Sequence, residues 1–262
     1  MAFTLGPRAT SAGYRFESFD QTGSTNSQAM ERARAGERGP MWFVTTEQTA
    51  GRGRRQRPWI APRGNLASSV LETLDVAPAT AATLGFAAGL ALEAALRAVA
   101  GPVSVGFSLK WPNDVLAGEA KLSGILLEAE TLSGGGLAVV VGMGTNIVAA
   151  PEGTPVPATS LAALGLEIGA EQLFTALSDS WAECRGIWDN GRGFGEIRRR
   201  WLALAVGLGQ PVAVHTGHVT VSGIFDTIDD TGCMILRTST GDRVLISAGD
   251  VHFGAAATAR AD

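Results

Sequence analysis

Residues 105–142 read VGFSLKWPNDVLAGEAKLSGILLEAETLSGGGLAVVVG, and the fold turns on how this stretch divides. Val105 to Trp111 has the β-branched and aromatic character of a strand, and Pro112, with its fixed φ and missing N–H, ends it. A second strand, Lys121 to Thr131, pairs with the first or its neighbours across a turn centred on Gly118. The Ser-Gly-Gly-Gly run at 133–136 is another hairpin turn and leads into a third strand, Leu137–Gly142.

Upstream of these hairpins, Tyr14–Phe19 reads as a strand. Thr22-Gly23-Ser24-Thr25-Asn26 then reads as a turn whose side chains can cap a helix ending near Gly36. Trp42–Thr46 and Leu66–Thr73 are strands on either side of a Gly/Arg/Pro loop from Gln48 to Asn65. The alanine-rich run Ala77–Ala100 is interrupted by Thr80, Thr83, Glu93 and Arg97, which makes it a buried helix rather than a membrane span. Downstream, Pro151, Pro155 and Pro157 mark a surface loop. Helices follow at about Glu171–Asn190 and Phe194–Ala205, the first with Leu173, Leu177, Trp181 and Trp188 on one face. Beyond Gly207 the pattern changes to short strands, Val212–Thr216, Val219–Phe225, Met234–Thr238 and Arg243–Ile246. The expected division is a first domain at 1–206 and a small all-β domain at 207–262, with a frayed tail at 255–262.

At 262 residues, 45% hydrophobic and 18% charged, the chain is long and apolar enough to bury a sizeable core. Its net charge of −4 gives the molecule as a whole no electrostatic attraction to nucleic acid or to an anionic membrane. Cys184 and Cys233 lie far apart without CxxC spacing, which argues against a disulfide framework or a zinc site and for two buried thiols. The opening MAFTLGPRATSAGYRF lacks a basic segment followed by an apolar run, so no secretory signal is expected, and a reducing cytoplasm fits.

Chemistry concentrates in a few places. Gly51-Arg52-Gly53-Arg54-Arg55-Gln56-Arg57-Pro58-Trp59 threads arginines among glycines, a pattern that brings backbone N–H groups and guanidinium forks up to an anion. A solvated basic loop or a nucleic-acid patch reads the same way. Lys110-Trp111-Pro112-Asn113-Asp114 sets a cation, an amide and a carboxylate at a strand end: Asp114 can hold Mg²⁺ while Lys110 faces phosphate, or the two form a surface pair. Lys121 opens an otherwise apolar strand in which Gly124 leaves room for a ligand. It must find an anion there or snorkel at the sheet edge. Gly142-Met143-Gly144-Thr145-Asn146 brings backbone and one amide to a strand-to-loop transition or forms a plain tight turn. Ser24, Thr25, Asn26 and Gln48 offer neutral donors and acceptors, or serve as a helix cap and a loop residue. Neither GxxxxGK[ST] nor a complete GxGxxG occurs, which sets aside P-loop and Rossmann enzymes.

Taken in order, Ser24-Thr25-Asn26, Q-x-x-GRGRR-x-R-x-W at 48–59, KWPND at 110–114, K-x-x-G-I-L-x-E at 121–128 and G-x-G-x-N at 142–146 resemble the catalytic domain of biotin protein ligases. The similarity runs from about residue 16 to 252, since the terminal β module resembles that family's SH3-like domain. The resemblance implies an α+β fold, with a mixed, mainly antiparallel sheet backed by helices as in class II synthetase-like ligases, followed by a small SH3-like β-barrel.

It also implies an enzyme that activates biotin with ATP and Mg²⁺ as biotinyl-5'-adenylate and transfers it to a lysine of biotin carboxyl carrier protein. Carried over by position, Ser24, Thr25, Asn26 and Gln48 hold the ureido ring, with Gly51, Arg52 and Gly124 beside it. Arg54, Arg55 and Arg57 grip the phosphates and Trp59 covers the ligand. Lys110, Asn113, Asp114 and Asn146 contact nucleotide or, for Asp114, Mg²⁺. Lys121 bridges the biotin carboxylate and the α-phosphate, and with Arg54 carries the catalysis. Asp114 is one candidate for the base that serves the carrier lysine.

Two departures stand out. Gln56 replaces the glycine usual in GRGRRGR, so a different loop backbone is expected there. Fewer than two dozen residues precede the TGSTN turn, too few for a helix-turn-helix, so no repressor role is expected. The rivals are a lipoate protein ligase, whose dithiolane would leave the neutral cluster unpaired, and a noncatalytic nucleic-acid-binding module.

Overall fold

A computed structural model describes residues 2–102, 106–154, 156–217 and 219–253. The chain runs α1 (Pro7–Ser11), β1 (Arg15–Phe19), α2 (Thr25–Arg34), β2 (Met41–Thr45), β3 (Leu66–Leu74), α3 (Pro78–Ala82), α4 (Leu84–Ala100), β4 (Phe107–Lys110), β5 (Asp114–Ala117), β6 (Ala120–Thr131), β7 (Leu137–Thr145), α5 (Ala170–Trp188) and α6 (Phe194–Ala203). It ends in β8 (Pro211–His215), β9 (Thr220–Ile228), β10 (Met234–Arg237), β11 (Arg243–Ile246) and β12 (Asp250–Phe253).

The period of two along β7 divides the molecule into layers. Val139, Val141 and Met143 join Val70 and Ile125 in the main core under α4 and α5, whereas Ala138 and Val140 join Phe43 and Leu71 under α2. Gly142 and Gly144 belong to the α2 side by the same alternation, so this face carries bare backbone where the other is filled with Val and Met. The sheet has seven strands in the order β1-β2-β3-β7-β6-β5-β4. The β1–β2 pair is parallel, and the remaining pairs are antiparallel. The expected mixed, mainly antiparallel sheet backed by helices is therefore found.

The apolar run Pro78–Ala100 is long enough to cross a membrane by length and composition. Here it is core: Leu84, Ala88, Leu92, Ala95 and Leu96 are fully buried, and Thr83 breaks the run into α3 and α4. Glu72 of β3 is a buried carboxylate that accepts from Tyr14 Oη (2.7 Å), Trp181 Nε1 (3.2 Å) and Arg185 Nε (3.3 Å), tying the N-terminal segment and α5 to the sheet. Every donor has a partner there, which makes the buried charge tolerable.

Several expectations need correction. The strand expected from Val105 begins at Phe107, and Val105 lies outside the described residues, as does the tail at 255–262. The short strand β5, not expected, stands between the two, and β6 pairs with it across the turn at Gly118, as the alternative of a neighbouring partner allowed, and with β7. The strand Leu137–Gly142 continues through Thr145. Cys184 is buried, with its thiol pushed up to about 11 by burial, but Cys233 is only half-buried and accepts from Thr231 Oγ1. The expected small C-terminal β domain is found, and among the described residues its strands form one sheet in the order β11-β10-β9-β8-β12.

This second sheet reaches back to the first. Trp111, in the turn between β4 and β5, donates from Nε1 to Gly232 O at 3.2 Å, and the Phe253 ring lies 5.2 Å from Lys110 Nζ.

Candidate active site

The cleft lies on the α2 face, above the bare backbone of β6 and β7. A Cβ at Gly144 would come within 2.5 Å of Trp59 Nε1, one at Gly124 within 3.2 Å of the same indole, and one at Gly142 would collide with Asn26 Oδ1. Side chains from α2 and the arginine loop therefore rest directly on the sheet.

One end is neutral. Ser24 caps α2 by accepting from Ser27 N at 3.4 Å, and Thr25 and Asn26 follow it, both buried. Gln48 Oε1 accepts from Thr25 N (2.8 Å) and Thr25 Oγ1 (3.1 Å). Ser69 Oγ of β3 lies 2.7 Å from Thr25 Oγ1 and 2.6 Å from Asn26 Oδ1. Gly51 adjoins this group, and a Cβ there would come within 2.9 Å of Gln48 Nε2.

The other end is cationic. The tight turn pairs Lys110 of β4 with Asp114 of β5, and Asp114 faces Gly124 of β6. Lys121 Nζ forms an ion pair with Asp114 Oδ1 at 2.6 Å, outside hydrogen-bonding angles, and sits 5.6 Å from the Trp59 ring. Lys110 is buried, and burial pulls its ammonium below the usual lysine range; Asp114 opposes this and Lys121 adds to it.

The arginine loop closes the cleft from above. Arg52 donates to Ser27 Oγ (3.1 Å) and to Glu128 Oε1 (3.5 Å). Arg54 donates to Asn113 Oδ1 and Gly249 O, each at 3.3 Å, and burial lowers its pKa against the pull of Asp250. Asn113 in turn donates to Ile125 O at 2.6 Å. Arg55 (3.2 Å) and Arg57 (2.7 Å) turn outward to Asp250 of β12. Burial raises the Asp250 carboxyl, but the Arg57 hydrogen bond and the nearby guanidinium charges outweigh it and hold its pKa low. Gln56 has φ of 59° and Arg55 55°, both left-handed. Glycine adopts this conformation freely, and here two residues with side chains bear it.

Asn146 donates to Thr159 O at 3.0 Å, while its Oδ1 is buried without a partner. The Trp59 indole N–H is likewise buried and unpaired. Ser69 and Glu128 were not among the expected site residues, although Glu128 ended a quoted motif. Ser69 looks like any small residue of a buried strand, and only the β3–β7 register puts it opposite Gly142.

The arrangement can hold an uncharged, hydrogen-bonding head at one end and press two anions together at the other. Known proteins resemble this chain. Residues 18–146 match the Biotin/lipoate A/B protein ligase family, and residues 207–254 match the Biotin protein ligase C terminal domain. The biotin-(acetyl-CoA-carboxylase) ligase of Paracoccus denitrificans is 39% identical over 240 residues, covering 89% of this chain and 98% of that one. The chain belongs to the biotin protein ligase family. Its counterpart of the same name from Mycobacterium tuberculosis is 36% identical over 236 residues, 88% of this chain and 86% of that one. A solved biotin protein ligase from Aquifex aeolicus, in complex with biotin and ATP, has a TM-score of 0.75 at 24% identity and covers 92% of this chain and 99% of that one, a likeness of fold. Membership makes this biotin protein ligase family chain an enzyme and removes the noncatalytic rival.

Proposed function

We propose that the chain condenses the biotin carboxylate with the α-phosphate of ATP, releasing pyrophosphate, and then passes the biotinyl group from the adenylate to a lysine ε-amine of biotin carboxyl carrier protein, releasing AMP. The observation that carries this reading is the position of Lys121, an ammonium on the cleft floor between the neutral Thr25–Gln48 end and the arginine loop.

Thr25, Gln48 and Ser24 hold the urea, with Asn26, Gly51 and Arg52 behind it, and the acyl chain takes the space over Gly124 and Gly144 that the Trp59 indole fills, so that Trp59 moves aside to cover it. Lys121 leaves Asp114 for the carboxylate and α-phosphate, suppressing their repulsion while fixing the line of attack. Lys110, Arg54, Arg55 and Arg57 take the nucleotide phosphates, and the unpaired Asn146 Oδ1 accepts from the nucleotide. Among the described residues no group of three or more His, Cys, Asp or Glu side chains could hold a metal by themselves. A lone Asp114 fits an ion that keeps waters and phosphate oxygens as its other ligands, as Mg²⁺ does, and such an ion would neutralise phosphate charge. The reading places the reaction in the cytoplasm, with 1–206 as catalytic domain and 207–262 as its C-terminal partner. It assigns no nucleic-acid or membrane role, because Arg55 and Arg57 face Asp250 rather than an open basic stripe.

Pyrophosphate release with ATP plus biotin, compared with ATP plus lipoate, tests the substrate. Biotin is expected to drive it, because the neutral cluster would stay unpaired against a dithiolane. A lipoate preference would overturn the assignment.

A further inference from the structure

Glu128 touches two residues of the neutral pocket, Asn26 and Arg52. Its Oε2 accepts from Asn26 Nδ2 at 2.7 Å, and its Oε1 lies 3.5 Å from Arg52 Nη2. Asn26 Nδ2 also reaches Leu126 O at 3.4 Å, so both of its amide hydrogens are engaged. A buried amide between two hydrogen-bonding neighbours could sit either way round. A carboxylate accepts and does not donate, which leaves one orientation, with Asn26 Oδ1 toward Ser69.

The consequence travels along the chain of bonds. Ser69 has a single hydroxyl proton, and Asn26 Oδ1, 2.6 Å away, claims it. The Thr25 hydroxyl donates its proton to Gln48 Oε1 (3.1 Å), so Thr25 Oγ1, which lies 2.7 Å from Ser69 Oγ, has only lone pairs to offer a ligand. One carboxylate thereby makes this edge of the pocket an acceptor, as a urea N–H requires. It also holds Arg52, the first arginine of the loop, whose Nη1 donates to Ser27 Oγ on the same helix.

We infer that Glu128 is a positioning residue of the ureido pocket, acting through Asn26 and Arg52; this rests on the biotin reading above. The test uses the full chain, with pyrophosphate release measured while biotin and ATP are varied separately, and with thermal melting of each variant. Glu128→Gln keeps the shape but has one acceptor oxygen for two donors. It is expected to raise the KM for biotin roughly tenfold, the loss of one charge-assisted hydrogen bond, with the KM for ATP within about twofold. Combining Glu128→Gln with Asn26→Asp reverses the direction of that hydrogen bond while still presenting an acceptor to Ser69, and is expected to recover at least about a third of the loss in biotin affinity. Should Glu128→Gln melt at assay temperature, Ser69→Ala carries the same readout: biotin KM raised, ATP KM unchanged. A wild-type biotin KM in the variant assayed, or equal changes for both substrates, overturns the inference. A wild-type chain inert toward biotin overturns instead the function on which it rests.

Discussion

Lys121 has one ion-pair partner, Asp114, and otherwise meets the Trp59 ring and the bare backbone at Gly124. In the proposed chemistry it exchanges that carboxylate for two substrate anions. Lys121→Ala is therefore expected to lower adenylate formation by about 10²–10³-fold, the size of one lost charge-stabilising donor. The melting temperature should move by only a few degrees, and single-turnover pyrophosphate release with a thermal melt reads both. A near-wild-type rate would remove Lys121 from the mechanism. Arg54 reaches Asn113 Oδ1 and Gly249 O, and in the proposed chemistry it closes over the adenylate, so its removal opens a route of escape. Arg54→Gly is expected to release biotinyl-adenylate, so that bystander proteins become labelled on lysines; mass spectrometry of an added unrelated protein checks this. At this scale the sequence was informative wherever a charge stood among glycines or apolar residues, as at Lys121 and Arg54. It was silent on Ser69 and Glu128, whose partners on α2 lie 43 and 102 positions away. Spacing along the chain contains no such cross-sheet register.

Among the elements, the arginine loop and β12 form a coupled pair. Asp250 occupies Arg55 and Arg57 as a phosphate would, and the contacts are partly exposed, so the pairs contribute at most about 1 kcal/mol. Asp250→Asn is expected to lower the KM for ATP by about two- to fivefold, because phosphate no longer competes with a carboxylate. A higher KM in a steady-state titration would mean that Asp250 orients the arginines for the nucleotide instead. Gln56 tests the loop backbone. Glutamine tolerates the left-handed region at a cost of about 1–2 kcal/mol, whereas a β-branched side chain is a steric outlier there. Gln56→Val should unlatch the loop without unfolding the chain, speeding tryptic cleavage at 54–57, while Gln56→Gly should not speed it. Equal cleavage in both variants would contradict the left-handed assignment. The loop was readable in advance as glycine-punctuated and basic. The short β5 (DVLA) was not, because it follows Pro112 too closely to register as a separate run, and β12 (DVHF) alternates polar and apolar residues over only four positions, too few to mark a strand.

Over the whole molecule, the division of labour follows from one sheet with two unlike faces. Val139, Val141 and Met143 bury their side chains against α4 and α5 and hold the sheet rigid, while Gly142 and Gly144, from the same strand, leave the opposite face open to side chains and ligand. Rigid support on one side and bare backbone on the other suit a site that must hold two substrates within bonding distance. The C-terminal sheet completes it by sending Asp250 and Phe253 to the cationic end. The alternation of Gly and large residues along β7 was present in the sequence, but Gly142-Met143-Gly144 read equally well as a turn until the register with Ser69 and Gly124 was known. A crystal structure of the chain with a nonhydrolysable biotinyl-adenylate analogue tests the central claim most directly. Lys121 Nζ is expected to have left Asp114 for the oxygens joining the acyl and phosphoryl groups, with the urea against Thr25 and Gln48 and the nucleotide under the arginine loop. An analogue bound elsewhere, with Lys121 still on Asp114, would contradict the account.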